Sequence, residues 1–423
     1  MSLTASVKKD FTSSQTKVAD HCRRKRNQPS EVKLMKKEGL IIFILTLCIL
    51  FQISLIETDM EAAQLRPTQL HSYLRQGIEK TFDMETQSAN TYFQKAVELD
   101  RDDPTGYAFL ALAHLFFYEM SFEPKDREKN QQAMLRYVSE ALGKGEKRIK
   151  KDSKDSQAYF AVGLAKIAKI RWAISQKKYV VIAQETSNVW DYLEKGKEED
   201  PQRYDINFPM GLLHYHLDHL SGLTRVFSSW MITPGDHQKG LQELELAAQK
   251  GDLLRELAQA ELASVYTNFE KQPARALPIA RELKMKFPRN YNFSFQLANT
   301  LSDLHRFEEA FAIARGIEKG IQAGTPPFVP QLQPRYDQLM GRIFFSKGEY
   351  AKATEYFLSA LKDTSPYNAR VRAWSFVRLG MIKDAYKERE RAEEYYCNAL
   401  EVEGGEGAAQ VEARNYLKTP YVP

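Results

Sequence analysis

The chain has 423 residues, of which 43% are apolar and 27% charged, and its formal net charge is +5. This apolar content excludes a chain that is disordered or of low complexity throughout. Residues 1–38 hold ten lysines and arginines against four acidic residues, so the rest of the chain is close to neutral. No nucleic-acid-binding domain is predicted, because such a domain would carry its basic charge on the folded body.

The N-terminal residues 1–38 are polar, basic and rich in Ser and Thr, which predicts a disordered tail. The basic charge is densest from Arg23 to Arg26. A short run of this kind can be a nuclear-import or nucleic-acid patch. Because an apolar segment follows, we favour the alternative that these charges orient a membrane segment.

Residues 39–56 read GLIIFILTLCILFQISLI and contain no charged residue. A helix of this length would span roughly 27 Å, just enough for the hydrocarbon core of a bilayer. Lys36 and Lys37 precede it, while Glu57 and Asp59 follow. We therefore expect a single-pass membrane protein. Its orientation follows from the flanks, because positively charged flanks stay on the cytoplasmic side. Its N-terminal tail would be cytoplasmic, and the rest of the chain periplasmic or otherwise extracytoplasmic.

Two alternatives to this uncleaved anchor remain open. One is a signal peptide, although the residues after the apolar run lack the small-residue pattern of a cleavage site. The other is a buried helix of a soluble protein. Cleavage would release a secreted, soluble chain.

A polar segment of residues 57–85 follows, and we interpret it as a helical spacer. From residue 86 onward, small and aromatic residues recur at helical spacing, beginning with Ala89, Phe93 and Ala96. The pattern is interrupted at about residues 214–240, where an apolar run contains Phe227, Trp230 and Met231. That run predicts either an extended helix pair or an exposed loop that contacts a membrane or a partner.

Two copies of one pattern stand out between Tyr336 and Gly405. Counted from Gly341 or Gly380, the later positions of the pattern lie at the same offsets of 9, 12, 15, 16 and 19 in both copies. The first copy has Tyr350, Ala353, Tyr356, Phe357 and Ala360; the second has Arg389, Ala392, Tyr395, Tyr396 and Ala399. Small residues on two successive helices allow the helices to pack closely, and aromatic residues fill the remaining space.

This pattern resembles the tetratricopeptide repeat, whose helical hairpins stack into a superhelix. The resemblance covers residues 86–417 and implies an all-α superhelical solenoid of about seven or eight hairpins. With residues 39–56, the predicted fold is such a solenoid behind one N-terminal transmembrane helix. A capping helix is expected from Ala408 to Leu417, and residues 418–423 would form a short tail.

The chain carries little evidence of catalytic chemistry. Phosphate-binding, dinucleotide-binding, Ser-hydrolase and zinc-protease motifs do not occur in it. His214, His216 and His219 form one histidine cluster, but residues two apart on a helix face about 200° apart and cannot share an ion. We therefore predict neither catalytic residues nor a metal site, and no cofactor.

In the family it resembles, the first helix of each hairpin lines a concave groove, which implies that partners bind there. The groove-facing positions implied by the resemblance carry side chains that can bond a peptide backbone or carboxylate. The predicted partner-binding residues are Asn268, Asn299, Asp303, Arg342, Phe345 and Asp384.

These observations favour a membrane-tethered scaffold that binds a protein or peptide partner, in cell-envelope assembly or secretion. Residues 39–56 would supply the membrane contact, and a nucleic-acid partner is not predicted. The alternatives are a secreted soluble repeat protein and a non-catalytic subunit of a membrane enzyme complex. Whether the chain forms a homo-oligomer is left open.

Overall fold

A computed structural model describes residues 68–219, 236–405 and 407–423. Residues 69–423 form one compact unit. The predicted tail of residues 1–38 and the predicted membrane segment of residues 39–56 lie outside the described residues, as do residues 220–235 of the irregular insertion. Within the described ranges, no helix combines the length and the apolar character that a membrane span requires.

The described residues are all-α and contain no strand. In the first part of the chain the helices are α1 (residues 68–82), α2 (Thr86–Leu99), α3 (Pro104–Met120), α4 (Pro124–Lys151), α5 (Ser156–Ser175), α6 (Tyr179–Glu199), α7 (Asn207–His219) and α8 (His237–Lys250). They continue with α9 (Arg255–Asn268), α10 (Pro273–Lys286), α11 (Tyr291–Asp303), α12 (Phe307–Ala323), α13 (Gln333–Ser346), α14 (Tyr350–Ala360), α15 (Ala369–Ala385), α16 (Arg389–Glu401) and α17 (Ala408–Lys418).

Successive helices pack in pairs from α3–α4 to α15–α16, and α17 covers the last pair. Gly77 of α1 contacts Phe93 of α2, which makes α1–α2 the first pair. We call the odd-numbered helices, α1 to α17, first helices, and the even-numbered ones second helices. First helices also pack against first helices of neighbouring hairpins, such as α3 on α5 and α13 on α15. This is the predicted solenoid of stacked helical hairpins.

A repeated glycine–aromatic contact explains the close packing inside the hairpins. A Cβ atom on the glycine would lie 2.5 or 2.6 Å from a ring carbon of the aromatic residue sixteen positions later, so no side chain fits there. The contacts join Gly77 to Phe93, Gly341 to Phe357 and Gly380 to Tyr396. The first contact lies in α1–α2, so the array begins inside residues 57–85, the segment predicted to be a spacer.

Side chains at the starts of helices fix where several of them begin. Asp103 accepts a hydrogen bond from the backbone N–H of Thr105, and Asp155 accepts one from Ala158. Asn290 caps α11 in the same way. Such caps satisfy amide groups that the helix itself leaves unpaired.

The first hairpin also contacts the middle of the array. The Phe82 ring centroid lies 5.1 Å from that of Phe287 and 5.8 Å from that of Phe293. The Asn290 amide donates a 2.9 Å hydrogen bond to the carbonyl of Phe82, 208 residues earlier. Hairpins distant in sequence therefore lie side by side, which brings the first helices of distant repeats close together.

Candidate partner-binding face

Four polar residues form a stripe along one side of α11. They are Asn292, Gln296, Asn299 and Asp303. Their spacing of four, three and four residues places them on one helix face. Two contacts show that this face looks toward other first helices. Asn292 accepts a 2.6 Å bond from Arg335 of α13, and Gln296 donates a 3.2 Å bond to the Ala260 carbonyl of α9. We call the polar surface shared by α9, α11, α13, α15 and α17 the inner face.

Two predicted residues form an ion pair on the inner face. The guanidinium of Arg342 donates to both carboxylate oxygens of Asp303, at 3.0 and 2.5 Å. Arg342 is only 5% exposed. A bidentate, largely buried pair of this kind has a fixed orientation. The pair links α11 to α13, so each residue already has a partner within the chain.

Arg378 of α15 lies beside this pair, between two aromatic rings. Its guanidinium carbon lies 5.1 Å from the ring centroid of Phe345 and 5.3 Å from that of Trp374. The predicted residue Phe345 therefore takes part in the site by a cation–π contact between its ring and Arg378. Burial lowers the pKa of Arg378, and the nearby positive charge of Arg342 lowers it further.

Lys271 follows α9 and reaches the same region. Its Nζ lies 2.7 Å from a carboxylate oxygen of Glu412 on α17 and 5.8 Å from the Trp374 ring centroid. It also donates a 2.9 Å bond to the carbonyl of Asn268, a predicted residue. Burial lowers the pKa of Lys271, although Glu412 opposes this change.

Arg335 is the third cation of the inner face whose pKa is lowered. Its guanidinium carbon lies 4.3 Å from the ring centroid of Phe295, and burial lowers its pKa to about 10. Its guanidinium donates to an amide oxygen and lies against aromatic rings. No carboxylate among the described residues lies within ion-pair distance of it. The inner face of α11, α13 and α15 is therefore rich in positive charge.

The region of α5, α7 and α9 is different because its basic side chains pair with acidic ones. His216 of α7 contacts a carboxylate oxygen of Glu261 on α9 at 2.8 Å. Burial would raise the pKa of Glu261, but the His216 contact and the charges of Arg171 and Arg370 outweigh it and lower the pKa to about 2. Arg171 itself donates to both oxygens of Glu119, at 2.8 and 2.9 Å.

Two histidines of the cluster engage different acids, and the side chain of the third, His219, lies outside the described residues. His214 is buried, and its Nδ1 lies 2.6 Å from a carboxylate oxygen of Glu243 on α8, whereas His216 contacts Glu261. Their rings therefore serve separate contacts between helices.

The remaining predicted residues have different surroundings. The buried side-chain oxygen of Asn299 has no hydrogen-bond partner among the described residues, and the Asn268 amide donates to the hydroxyl of Ser264 at 3.2 Å. Asp384 accepts bonds from Arg389 and from the hydroxyl of Tyr396, inside its own hairpin. The structure thus brings Asp303, Arg342 and Phe345 together with Arg378 and places Asp384 elsewhere. Their role in binding a partner stays a prediction.

Arg378, Trp374 and Lys271 are not among the residues predicted from the sequence. Trp374 and Arg378 are four residues apart, so they share one face of α15 just before the glycine of that hairpin. That spacing is a signal that the sequence does contain. Lys271 lies in a turn, outside the helical pattern, and only the packing of α17 brings Glu412 to it.

Comparisons with known proteins find similar solved structures. A tetratricopeptide-repeat protein of Thermus thermophilus is 17% identical over 55% of this chain and 98% of its own, with a TM-score of 0.34. Human IFIT1, solved as a dimer with PPP-AAAA, is 14% identical over 84% of this chain and 86% of its own, with a TM-score of 0.40. A tetratricopeptide-repeat protein of Parabacteroides merdae is 14% identical over 70% and 93%, with a TM-score of 0.29. No protein-family model and no curated protein matches the sequence.

The assignment of the fold rests on the chain's own helices. Paired helices, a repeated glycine–aromatic contact and a terminal covering helix define an all-α helical-repeat solenoid with a tetratricopeptide-like fold. Solenoids of this kind create extended concave surfaces.

Proposed function

We propose that this protein is a membrane-tethered scaffold that holds a protein or peptide partner against its inner face. The observation that carries this proposal is the polar surface shared by successive first helices, which runs from the α11 stripe to Arg378 and Glu412. Repeat arrays use such extended surfaces to bind partners through many moderate contacts.

The proposed mechanism is confinement. Residues 39–56 would anchor the chain, with the array on the extracytoplasmic side and with a role in envelope assembly or secretion. Anchoring raises the local concentration of the array near membrane-bound partners, so that moderate affinity is sufficient for capture. The apolar sequence of residues 39–56 and its flanking charges support this part of the proposal.

Site-specific photocrosslinking in native membranes tests the inner face. A photoreactive amino acid replaces Gln296, on the α11 stripe, in the full-length chain. The control replaces Met285 of α10, which is 77% exposed on a second helix. We expect one discrete protein adduct from the Gln296 position and none from Met285. Equal labelling from both positions would contradict binding at the inner face.

The tether is tested separately by sequencing the N-terminus of the mature protein and by alkaline extraction of membranes. An anchored chain keeps residues 39–56 and stays in the membrane pellet. A mature protein that starts after residue 57 would support the secreted, soluble alternative instead.

A further inference from the structure

Arg378 and Arg335 both lie against aromatic rings, but Arg335 donates to the side-chain oxygen of Asn292, whereas Arg378 has no oxygen acceptor among the described residues. The rings of Phe345 and Trp374 lie 5.1 and 5.3 Å from its guanidinium carbon. Both distances are within the range of cation–π attraction. The rings hold the guanidinium in place, but they provide no lone pair for its N–H donors.

The donors of Arg378 have few acceptors in the part of the chain that the structure describes. Its Nε is buried without a hydrogen-bond partner, and its Nη1 contacts only the sulfur of Met381, at 3.3 Å. A thioether is a weak acceptor. Among the described residues, no carboxylate lies within ion-pair distance of it. Because buried donors are ordinarily satisfied, Arg378 suits an acceptor that comes from outside the chain.

The carboxylates nearest to Arg378 are engaged elsewhere. Asp303 uses both oxygens for Arg342, and Glu412 contacts Lys271 at 2.7 Å. We call these groups the Arg378 cluster. It contains three cations, Lys271, Arg342 and Arg378, and the two carboxylates of Asp303 and Glu412. One further carboxylate would balance the charge and supply the planar pair of acceptors that a guanidinium prefers.

We infer that Arg378, held between Phe345 and Trp374, binds a carboxylate side chain of an acidic partner peptide. This inference rests on the proposed function, since it names the chemistry of the partner that the inner face takes. A peptide suits the site better than a nucleic acid does. A polynucleotide brings a phosphate at every step and would meet Asp303 and Glu412, whereas a peptide can place a single carboxylate at Arg378.

Fluorescence anisotropy with the full-length chain in detergent micelles tests the inference. The probe is a labelled peptide of alternating Gly and Glu, and its matched control has Gln at every Glu position. A labelled oligoadenylate is the third probe. We expect the Glu peptide to bind about tenfold or more tightly than the Gln peptide.

Two methionine variants locate the effect. Arg378→Met keeps most of the side-chain length and removes the charge, and we expect it to lose the preference for the Glu peptide. Arg315→Met removes an exposed arginine of α12 and should keep that preference. Trp374→Leu, which removes one of the rings, should weaken it. Arg378→Lys should retain part of it, and it replaces the methionine variant in the assay if that variant fails to fold.

Three outcomes would overturn the inference: an unchanged preference in Arg378→Met, no preference in the wild-type chain, or tighter binding of the oligoadenylate that depends on Arg378. Photocrosslinking from Gln296 in membranes separates this result from the proposed function. If the Gln296 adduct forms equally in wild type and in Arg378→Met, the scaffold proposal stands and the acidic chemistry does not. If the adduct forms in neither, the scaffold proposal itself fails.

Discussion

The cluster of Glu256 with Arg75 and Lys286 and the Arg378 cluster both bury charge between distant helices. They differ in whether the central charged group has a partner of opposite charge. Glu256 of α9 is 3% exposed and accepts bonds from Arg75 of α1 at 2.8 and 2.5 Å and from Lys286 of α10 at 2.6 Å. Arg378 has aromatic neighbours and no carboxylate within ion-pair distance among the described residues.

The difference separates an internal junction from a binding position. At Glu256 the chain supplies both signs of charge, so the cluster joins the first hairpin to the middle of the array. At Arg378 the chain supplies a positioned cation and leaves its strongest acceptor to a partner. Removing a charge should therefore lower the free energy of unfolding strongly at Glu256 and change it little at Arg378.

The largest effect is expected from Glu256→Gln. It leaves two cations without their carboxylate, and we expect the free energy of unfolding to fall by about 2–3 kcal/mol. The measurement is thermal and urea unfolding followed by circular dichroism. Glu282→Gln, at an exposed position of α10, is the control and should change little. If both variants unfold alike, the Glu256 cluster does not act as a junction.

Gly380→Ala measures how much packing inside a hairpin contributes to the free energy of unfolding, compared with the junction between hairpins. The new methyl would lie 2.5 Å from a ring carbon of Tyr396, so we expect a loss of about 1–2 kcal/mol. Gly143→Ala in α4 is the matched control, because its methyl meets nothing within 4 Å. It should raise stability by about 0.5–1 kcal/mol, since alanine favours a helix over glycine. A destabilising Gly143→Ala would contradict this reasoning.

Acid should weaken the Glu256 cluster. Burial raises the pKa of Glu256, but hydrogen bonds from Arg75 and Lys286 outweigh it and leave the pKa below its ordinary value. A lowered pKa contributes stability above the unfolded value of about 4.3, and this stability is lost as the pH falls through the folded-state pKa. The melting temperature of wild type should therefore fall more steeply between about pH 5 and pH 3 than that of Glu256→Gln. Parallel curves would count against the ion pair.

Arg378→Met is expected to have the smallest effect on stability. It removes cation–π contacts but also removes the cost of burying an unbalanced charge, so the free energy of unfolding should stay within about 1 kcal/mol of wild type. The same unfolding measurements check this value. A loss as large as that of Glu256→Gln would make Arg378 a structural residue and erase the contrast between the two clusters.

The hairpins are predictable from the sequence because close helix packing requires small residues at fixed positions. Gly341 and Gly380, each sixteen residues before an aromatic ring, show this requirement directly. The first hairpin is harder to recognise. Its helix, residues 68–82, is polar enough to resemble a spacer, although Gly77 stands sixteen residues before Phe93.

The inner face is only partly predictable. The helical period places Asn299 and Asp303 on one face, and the structure pairs Asp303 with Arg342 as neighbouring first helices allow. Period alone does not show which residues of distant hairpins meet. Lys271 and Glu412 are brought together by the stacking of several intervening helices. No local sequence pattern predicts a contact between residues so far apart in the chain.

The contact between α1 and α9 also constrains how the chain is made. Arg75 and Glu256 are 181 residues apart, so Arg75 leaves the ribosome well before its carboxylate has been synthesised. At translation rates of about 5–20 residues per second, the first hairpin waits roughly 10–40 s for the surface that covers it. During that interval the side of Phe82 that later packs on Phe287 and Phe293 is uncovered. A holding chaperone should therefore favour nascent chains shorter than those that contain α10 and α11.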